Sequence, residues 1–143
     1  MTLRTPARLR YIASVAVNQE AHKMAKVTGL GGAFIRVADP KALYAWYEKH
    51  LGISAPYGSF VFSKDDLRAD VAVAFFAKTS EKFPVTQPAM LNFQVDDLDG
   101  LLDKLQGAGV VVDPKREDSE YGRFGWFTDP QGNLVELYQP PKD

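Results

Sequence analysis

The order of hydrophobic and polar positions along this chain predicts short strands separated by two helices. Strands are expected where β-branched and aromatic residues run together or alternate with polar ones, because successive side chains of a strand point to opposite faces of the sheet. Such stretches lie at 33–38, 57–63, 71–77, 90–95 and 110–112, and a longer one begins at Tyr121.

Both predicted helices have apolar residues at helical spacing and polar signals at their ends. The first follows Asp39, whose side chain can cap the first turn, and it ends at Gly52. Pro40 suits the first helical position, because the nitrogen there has no intrahelical partner in any case. The second helix follows Asp96 and Asp97 and ends at a pair of glycines.

The region from Tyr121 to Tyr138 is predicted to be a hairpin, with aromatic and β-branched residues on both sides of the turn Asp129–Asn133. Pro130 fixes φ near the value that the second turn position needs, and Gly132 can adopt a positive φ.

After the turn, strand alternation places Leu134, Glu136 and Tyr138 on one face and the apolar pair Val135 and Leu137 on the other. A carboxylate in the middle of such a strand is costly unless it has a partner or a function. Glu136 is therefore the first candidate functional residue.

The hairpin resembles the C-terminal signature of the vicinal oxygen chelate superfamily, which includes glyoxalase I, bleomycin-resistance proteins and extradiol dioxygenases. The resemblance covers about residues 29–140. It rests on Asp129-Pro130-x-Gly132-Asn133, Glu136-Leu137, Val37-Ala38-Asp39-Pro40, Tyr47-x-x-x-Leu51-Gly52 and Val95-Asp96-Asp97-Leu98.

The two halves of the chain also repeat each other. A displacement of 58 positions places Asp39 on Asp97 and Leu43 on Leu101. This repeat predicts two βαβββ modules, at about 29–82 and 88–140. The resemblance implies an α+β fold in which the paired modules form a cupped, eight-stranded mixed sheet with the helices outside, and it implies a homodimer.

Composition limits the classes of function. The net charge is −1, which gives no electrostatic reason to expect nucleic-acid binding, and no apolar run is long enough to span a bilayer. The chain has no cysteine, which excludes disulfides, thiolate nucleophiles and zinc–thiolate sites, and it has two histidines. A reducing, cytoplasmic location fits this composition.

Residues 1–28 are predicted to be an N-terminal extension, helical from about Pro6, outside the glyoxalase-like domain of residues 29–143. Residues 1–27 carry a net charge of +4, which leaves −5 for the rest of the chain. A helix packed on the domain or on a partner subunit, an organellar transit peptide, and a true start at Met24 remain open as interpretations.

The metal enzymes of the resembled superfamily take their ligands from four strand positions. The resemblance places those positions at Gly32, near Ala74 (or at Ala72 if the register slips), at Met90 and at Glu136, and only the last of these residues is one of the donors that the family usually uses. Because divalent ions need several protein donors, we expect no metal centre and no other cofactor.

Strand parity counted from these positions predicts the residues that face the cavity. Arg36 either pairs with Glu136 as a structural plug or binds a ligand carboxylate. The tryptophans and Phe124 are expected in the core, and residues 113–120 either form a solvated loop or fold over the mouth of the cavity. The ligand-binding candidates, including two tyrosines at the rim, are Phe34, Arg36, Tyr57, Met90, Asn92, Gln94, Tyr121, Glu136 and Tyr138.

These observations predict a glyoxalase/bleomycin-resistance-like protein that binds a small organic molecule in the sheet cavity without a conventional metal centre. The alternative is a metal-dependent lyase, isomerase or dioxygenase of the same superfamily that uses non-standard ligands. A third possibility is an interaction module whose cup is filled by its own N-terminal extension.

Overall fold

The computed structural model describes residue 25 and residues 32–142, and the chain divides into two compact units, Met1–Phe34 and Ile35–Asp143. The N-terminal helix predicted from about Pro6 lies outside the described residues, so it stays a prediction. Among the helices that the structure describes, none is long and apolar enough to cross a membrane.

The second unit contains two helices and five strands within the described range. The helices are α1 (Pro40–Leu51) and α2 (Leu98–Gly107). The strands are β1 (Asn92–Gln94), β2 (Val111–Val112), β3 (Glu117–Ser119), β4 (Gly122–Thr128) and β5 (Leu134–Gln139).

The strands form one mixed sheet in the order β1-β5-β4-β2, and β3 lies beside β2 on the same edge of β4. The β1–β5 pair is parallel and the other pairs are antiparallel. Residues 92–139 therefore run strand, helix, interrupted edge strand and hairpin. This is the βαβββ order predicted for the second module.

The predicted helix boundaries are confirmed. The Asp39 side chain accepts a hydrogen bond from the Ala42 amide at 3.0 Å and so caps α1, and Gly52 ends that helix with a φ of 70°. Asp97 caps α2 in the same way by accepting from the Gly100 amide at 3.0 Å. Each cap satisfies an amide that the first helical turn leaves without a partner.

Both helices pack against one face of the sheet. The fully buried apolar side chains there are Tyr47, Leu98, Leu102, Leu105, Phe127, Val135 and Leu137. Gly125 allows α2 to approach closely, because a Cβ at this position would lie 2.6 Å from Leu102 Cδ1. Full burial of one such side chain stabilises the fold by about 1.5–3 kcal/mol.

The signature turn is tied to helix α1. The buried carboxylate of Asp129 accepts hydrogen bonds from the amides of Gln131 and Asn133, and from the Tyr47 hydroxyl at 3.1 Å. Burial, and secondarily the charge of Asp129, raises the pKa of Tyr47. Gly132 takes the positive φ that the turn requires, 84°.

The first half of the chain differs from the prediction. Residues 33–38, 57–63 and 71–77 form no strands, and apolar side chains among them are exposed, Phe75 by 97%. A strand needs a ladder partner for its backbone groups, and the described backbone bonds at Ser63–Asp66 and Ala77–Ser80 close local turns instead. The sheet of the described residues has five strands, and the eight-stranded cup stays a prediction.

Two glutamine side chains act like backbone groups at the margin of the sheet. Gln87 accepts from the Leu134 amide and donates to the Leu134 carbonyl, both at 2.9 Å. Gln94 accepts from the Ala69 amide at 3.1 Å and donates to the Ala69 carbonyl at 2.8 Å. A carboxamide carries both a donor and an acceptor, as a peptide group does.

Candidate functional site

The face of the sheet opposite the helices, called here the open face, carries a carboxylate at its centre. Glu136 lies in the middle of β5, and its register neighbours are Asn92 on β1 and Trp126 on β4. Neighbouring residues in register point to the same side of a sheet. The hairpin and the parallel β1–β5 pair together therefore place these three side chains in one row.

Both carboxylate oxygens of Glu136 accept hydrogen bonds. Asn92 Nδ2 donates to Oε1 at 2.6 Å, and Trp126 Nε1 donates to Oε2 at 2.9 Å. Each oxygen of an ionised carboxylate has two acceptor sites, so one direction at each oxygen remains for a further donor. Glu136 is half-buried, which leaves it open to a molecule lying on the sheet.

An aromatic wall continues this row toward the end of β5. The rings of Phe124 and Tyr138 stack with centroids 5.0 Å apart, and the Tyr138 hydroxyl donates to the Tyr121 carbonyl at 2.8 Å. Gly122 makes room for this arrangement, because a Cβ there would lie 2.5 Å from the Tyr138 ring. The wall offers apolar surface beside the Glu136 carboxylate.

The edge strand beside β4 contains two extra residues. Val112 pairs with Phe127 but Glu117 pairs with Phe124, so the edge advances five residues while β4 recedes three. The two extra residues form a bulge within residues 113–116, between β2 and β3. Bulges of this kind redirect side chains at sheet edges.

Lys115, at the centre of this bulge, lies on the open face. Its Nζ is 5.5 Å from the centre of the Trp126 ring and 2.7 Å from a Glu117 oxygen. The hydrogen bond to Glu117 raises the pKa of Lys115 and lowers the pKa of Glu117. Residues 117–119 pair with β4, so this part of the polar segment 113–120 belongs to the sheet.

The predicted site residues divide into two groups. Asn92, Glu136 and Tyr138 lie together on the open face, with Tyr121 exposed at its end. Gln94 is bound to the backbone of residues 68–69, which occupies its carboxamide.

The remaining candidates are not joined to this group. Arg36 and Tyr57 are exposed, Met90 is half-buried, and Phe34 belongs to the first unit, where its side chain is 98% exposed. Within the described residues, Glu136 receives its hydrogen bonds from Asn92 and Trp126 and forms no ion pair with Arg36. The expected Arg36–Glu136 pair is absent because residues 33–38 add no strand to the sheet.

Trp126 is the functional candidate that sequence reasoning assigned to the core. Trp126 is 8% exposed, and its indole N–H donates a hydrogen bond to Glu136. The signal was present in the hairpin, because counting outward from the turn Asp129–Asn133 makes Trp126 the cross-strand neighbour of Glu136.

The residues at the ligand positions that the resemblance implies differ from the usual metal donors. The ligand positions that the resemblance implies are Gly32, a residue near Ala74, Met90 and Glu136. The first three side chains offer no oxygen or nitrogen, and the Glu136 carboxylate accepts hydrogen bonds from two N–H groups. Among the residues that the structure describes, no three His, Asp or Glu side chains converge.

Two surface clefts lie elsewhere. One of about 390 Å³ is bounded by residues 64–71, and one of about 480 Å³ lies between the start of α2, the end of β1 and residues 66–68. Neither is lined by Glu136, Asn92 or Trp126. We place the site on the open face because polar groups converge there on one carboxylate beside aromatic surface.

Known proteins of similar sequence point to one family. Residues 26–137 match the Glyoxalase/Bleomycin resistance protein/Dioxygenase superfamily. The protein named "Putative glyoxylase CFP32" of Mycobacterium bovis is 33% identical over 102 residues, which cover 68% of this chain and 38% of that protein. The chain thus spans little more than a third of the length of the curated relatives it matches.

Solved structures resemble the chain in fold. The fosfomycin resistance protein FosX from Listeria monocytogenes, complexed with Mn(II) and sulfate, matches with a TM-score of 0.55 and 19% identity over 81% of this chain and 93% of that one. A protein from the mobile metagenome of V. Pseudocholerae matches with a TM-score of 0.53 and 22% identity over 83% and 99%. The chain belongs to the Glyoxalase/Bleomycin resistance protein/Dioxygenase superfamily.

Proposed function

We propose that this protein binds a small organic molecule on the open face, in the manner of a glyoxalase/bleomycin-resistance-like protein, and that it does so without a metal ion. The observation that carries the proposal is the Glu136 carboxylate, which Asn92 and Trp126 hold in place from both sides. A half-buried acceptor in fixed geometry beside aromatic rings suits recognition of a ligand with a hydrogen-bond donor.

Each group on the face has a separate part in binding. Glu136 accepts a hydrogen bond from the ligand through a lone pair that its protein donors leave free. The Asn92 carboxamide fixes the carboxylate and offers its own oxygen as a second acceptor. The stacked rings of Phe124 and Tyr138 cover an apolar part of the ligand.

The first module supplies the opposite wall in this proposal. Its exposed apolar segments, which include Phe62 and Phe75, would join the sheet to complete an eight-stranded cup, and a homodimer would cover the remaining surface. Such a cup would bring Arg36 and Tyr57 toward the ligand as the sequence predicts. The described open face is then one half of the cavity.

The proposal is tested by screening small organic molecules for an increase in melting temperature, with the wild type, Glu136→Gln and Glu48→Gln. Glu48 is an exposed residue of α1, so its substitution is a control for the lost charge. A ligand at a hundred times its Kd stabilises the wild type by about 2.7 kcal/mol. We expect Glu136→Gln to abolish this stabilisation and Glu48→Gln to preserve it.

Two results would contradict the proposal. One is a screen in which no compound stabilises the protein in a Glu136-dependent way. The other is a stoichiometric divalent metal in the purified protein whose removal by a chelator abolishes ligand binding, which would favour a metal-dependent enzyme with non-standard ligands.

A further inference from the structure

The Lys115 ammonium group occupies a position typical of a bound organic cation. It lies over the face of the Trp126 ring, 5.5 Å from the ring centre, and it contacts the Glu117 carboxylate at 2.7 Å. An aromatic face combined with a nearby carboxylate is the arrangement by which proteins recognise ammonium groups of ligands.

The aromatic surface is fixed but the lysine is not. The indole N–H of Trp126 donates a hydrogen bond to Glu136 at 2.9 Å, and the residue is 8% exposed. The side chain of Lys115 is 59% exposed and sits on a bulge at the edge of the sheet. Lys115 can therefore leave the ring by rotation of its own side chain, without any change in the core.

We propose that Lys115 is an internal occupant of a cation subsite, and that a ligand bearing a quaternary or protonated amine displaces it from the face of Trp126. This inference rests on the proposed function of the open face and adds the chemical class of the ligand. The displaced ammonium moves into solvent, and the ligand nitrogen takes its place between the indole face and Glu117.

The charges around the subsite favour this exchange. Glu117 contacts the Lys115 ammonium at 2.7 Å, so the departure of Lys115 leaves the Glu117 carboxylate without this cation, and the ligand nitrogen can pair with it. A quaternary ammonium group is also less strongly hydrated than a lysine ammonium. It therefore loses less hydration free energy on reaching an aromatic surface.

The tethered lysine has a high effective concentration at the ring, so it competes with any free cation. Its removal should strengthen cation binding, which is opposite to the effect expected for a residue that contacts the ligand directly. Lys115→Met keeps the length of the side chain and removes the charge. Lys104→Met, on the exposed surface of α2, makes the same change in net charge away from the open face.

The experiment measures the Kd of choline and of its neutral carbon isostere, 3,3-dimethylbutan-1-ol, by titration calorimetry with the wild type and both variants. We expect Lys115→Met to lower the choline Kd by about tenfold. Lys104→Met should change it by less than about twofold, since a distant charge is screened by salt. The Kd of the neutral isostere should be the same in either variant as in the wild type.

Melting curves establish that each variant is folded, and Lys115→Gln serves as a second variant at the same position. The inference is overturned if the choline Kd is unchanged or raised in both Lys115 variants. It is also overturned if Lys104→Met or the neutral isostere shows the same gain. If a compound from the screen stabilises the protein in a Glu136-dependent way but the Lys115 variants bind choline no more tightly, the cation subsite is overturned and the proposed function stands.

Discussion

The two faces of the β4–β5 hairpin have opposite properties, although alternate residues of the same two strands form them. The face toward the helices is apolar and closed, with Phe127, Val135 and Leu137 at most 1% exposed. The open face carries Glu136 and Trp126 in a hydrogen-bonded pair. Strand alternation thus places the residues that stabilise the fold on one face and the polar candidate site on the other. Substitutions on the two faces should therefore have different consequences.

The largest effect is expected on the closed face. Phe127→Ala should reduce the free energy of unfolding by about 3–5 kcal/mol, because it leaves a cavity in a fully packed core. Urea denaturation measures this loss. Phe124 is half-buried and lies on the open face of the same strand. Phe124→Ala should therefore reduce the free energy of unfolding by less than half as much, and equal losses would show that the two faces do not differ in packing.

An intermediate effect is expected where the helix meets the sheet. Gly125→Ala adds a methyl group 2.6 Å from Leu102 Cδ1, and such overpacking costs about 1–3 kcal/mol in unfolding free energy. Gly107→Ala is the matched control, because no atom lies within 4 Å of the added methyl and alanine favours the helix. Thermal denaturation should show a lower melting temperature for Gly125→Ala and a higher one for Gly107→Ala. An unchanged melting temperature for Gly125→Ala would mean that α2 can move away from the sheet.

The smallest effect on the free energy of unfolding is expected at the hydrogen bond between the Tyr47 hydroxyl and the Asp129 carboxylate. Tyr47→Phe should cost about 0.5–1.5 kcal/mol, since Asp129 keeps its donors within the turn. The pKa of Tyr47 is raised in the folded protein, so the folded state keeps a proton that the unfolded state loses.

The contribution of Tyr47 is therefore complete below its ordinary pKa of 10.0 and is lost progressively as the pH rises above it. Urea denaturation at pH 8 and at higher pH should show a decrease in stability that is shallower in Tyr47→Phe than in the wild type. An identical pH dependence in the two proteins would mean that Tyr47 ionises equally easily in both states.

Local signals predicted both helices and the C-terminal hairpin well. The caps at Asp39 and Asp97 and the turn Asp129–Asn133 depend on residues within a few positions of each other. The turn also determines the register of the hairpin, and the register determines which side chains share the face with Glu136. For this reason parity along β5 was informative.

Features that depend on distant pairing were not predictable in the same way. The proposed role of Arg36 required residues 33–38 to join the sheet, and these residues form no strand. The position of Lys115 depends on a two-residue bulge, for which the sequence around Pro114 gives no specific signal. Trp126 is large and apolar, as core residues are, and its position opposite Glu136 in the hairpin is the signal that places it on the open face.

The paired hydrogen bonds of Gln87 and Gln94 have a consequence for how sheet energetics can be measured. A hydrogen bond of the backbone ladder is difficult to remove by mutagenesis without disturbing the chain, because every residue except proline carries the same peptide donor and acceptor. At the Leu134 amide and carbonyl, the bonding partner is a side chain. Gln87→Glu would remove the donor and keep the acceptor, and Gln87→Met would remove both, so one rung of a sheet can be dissected atom by atom.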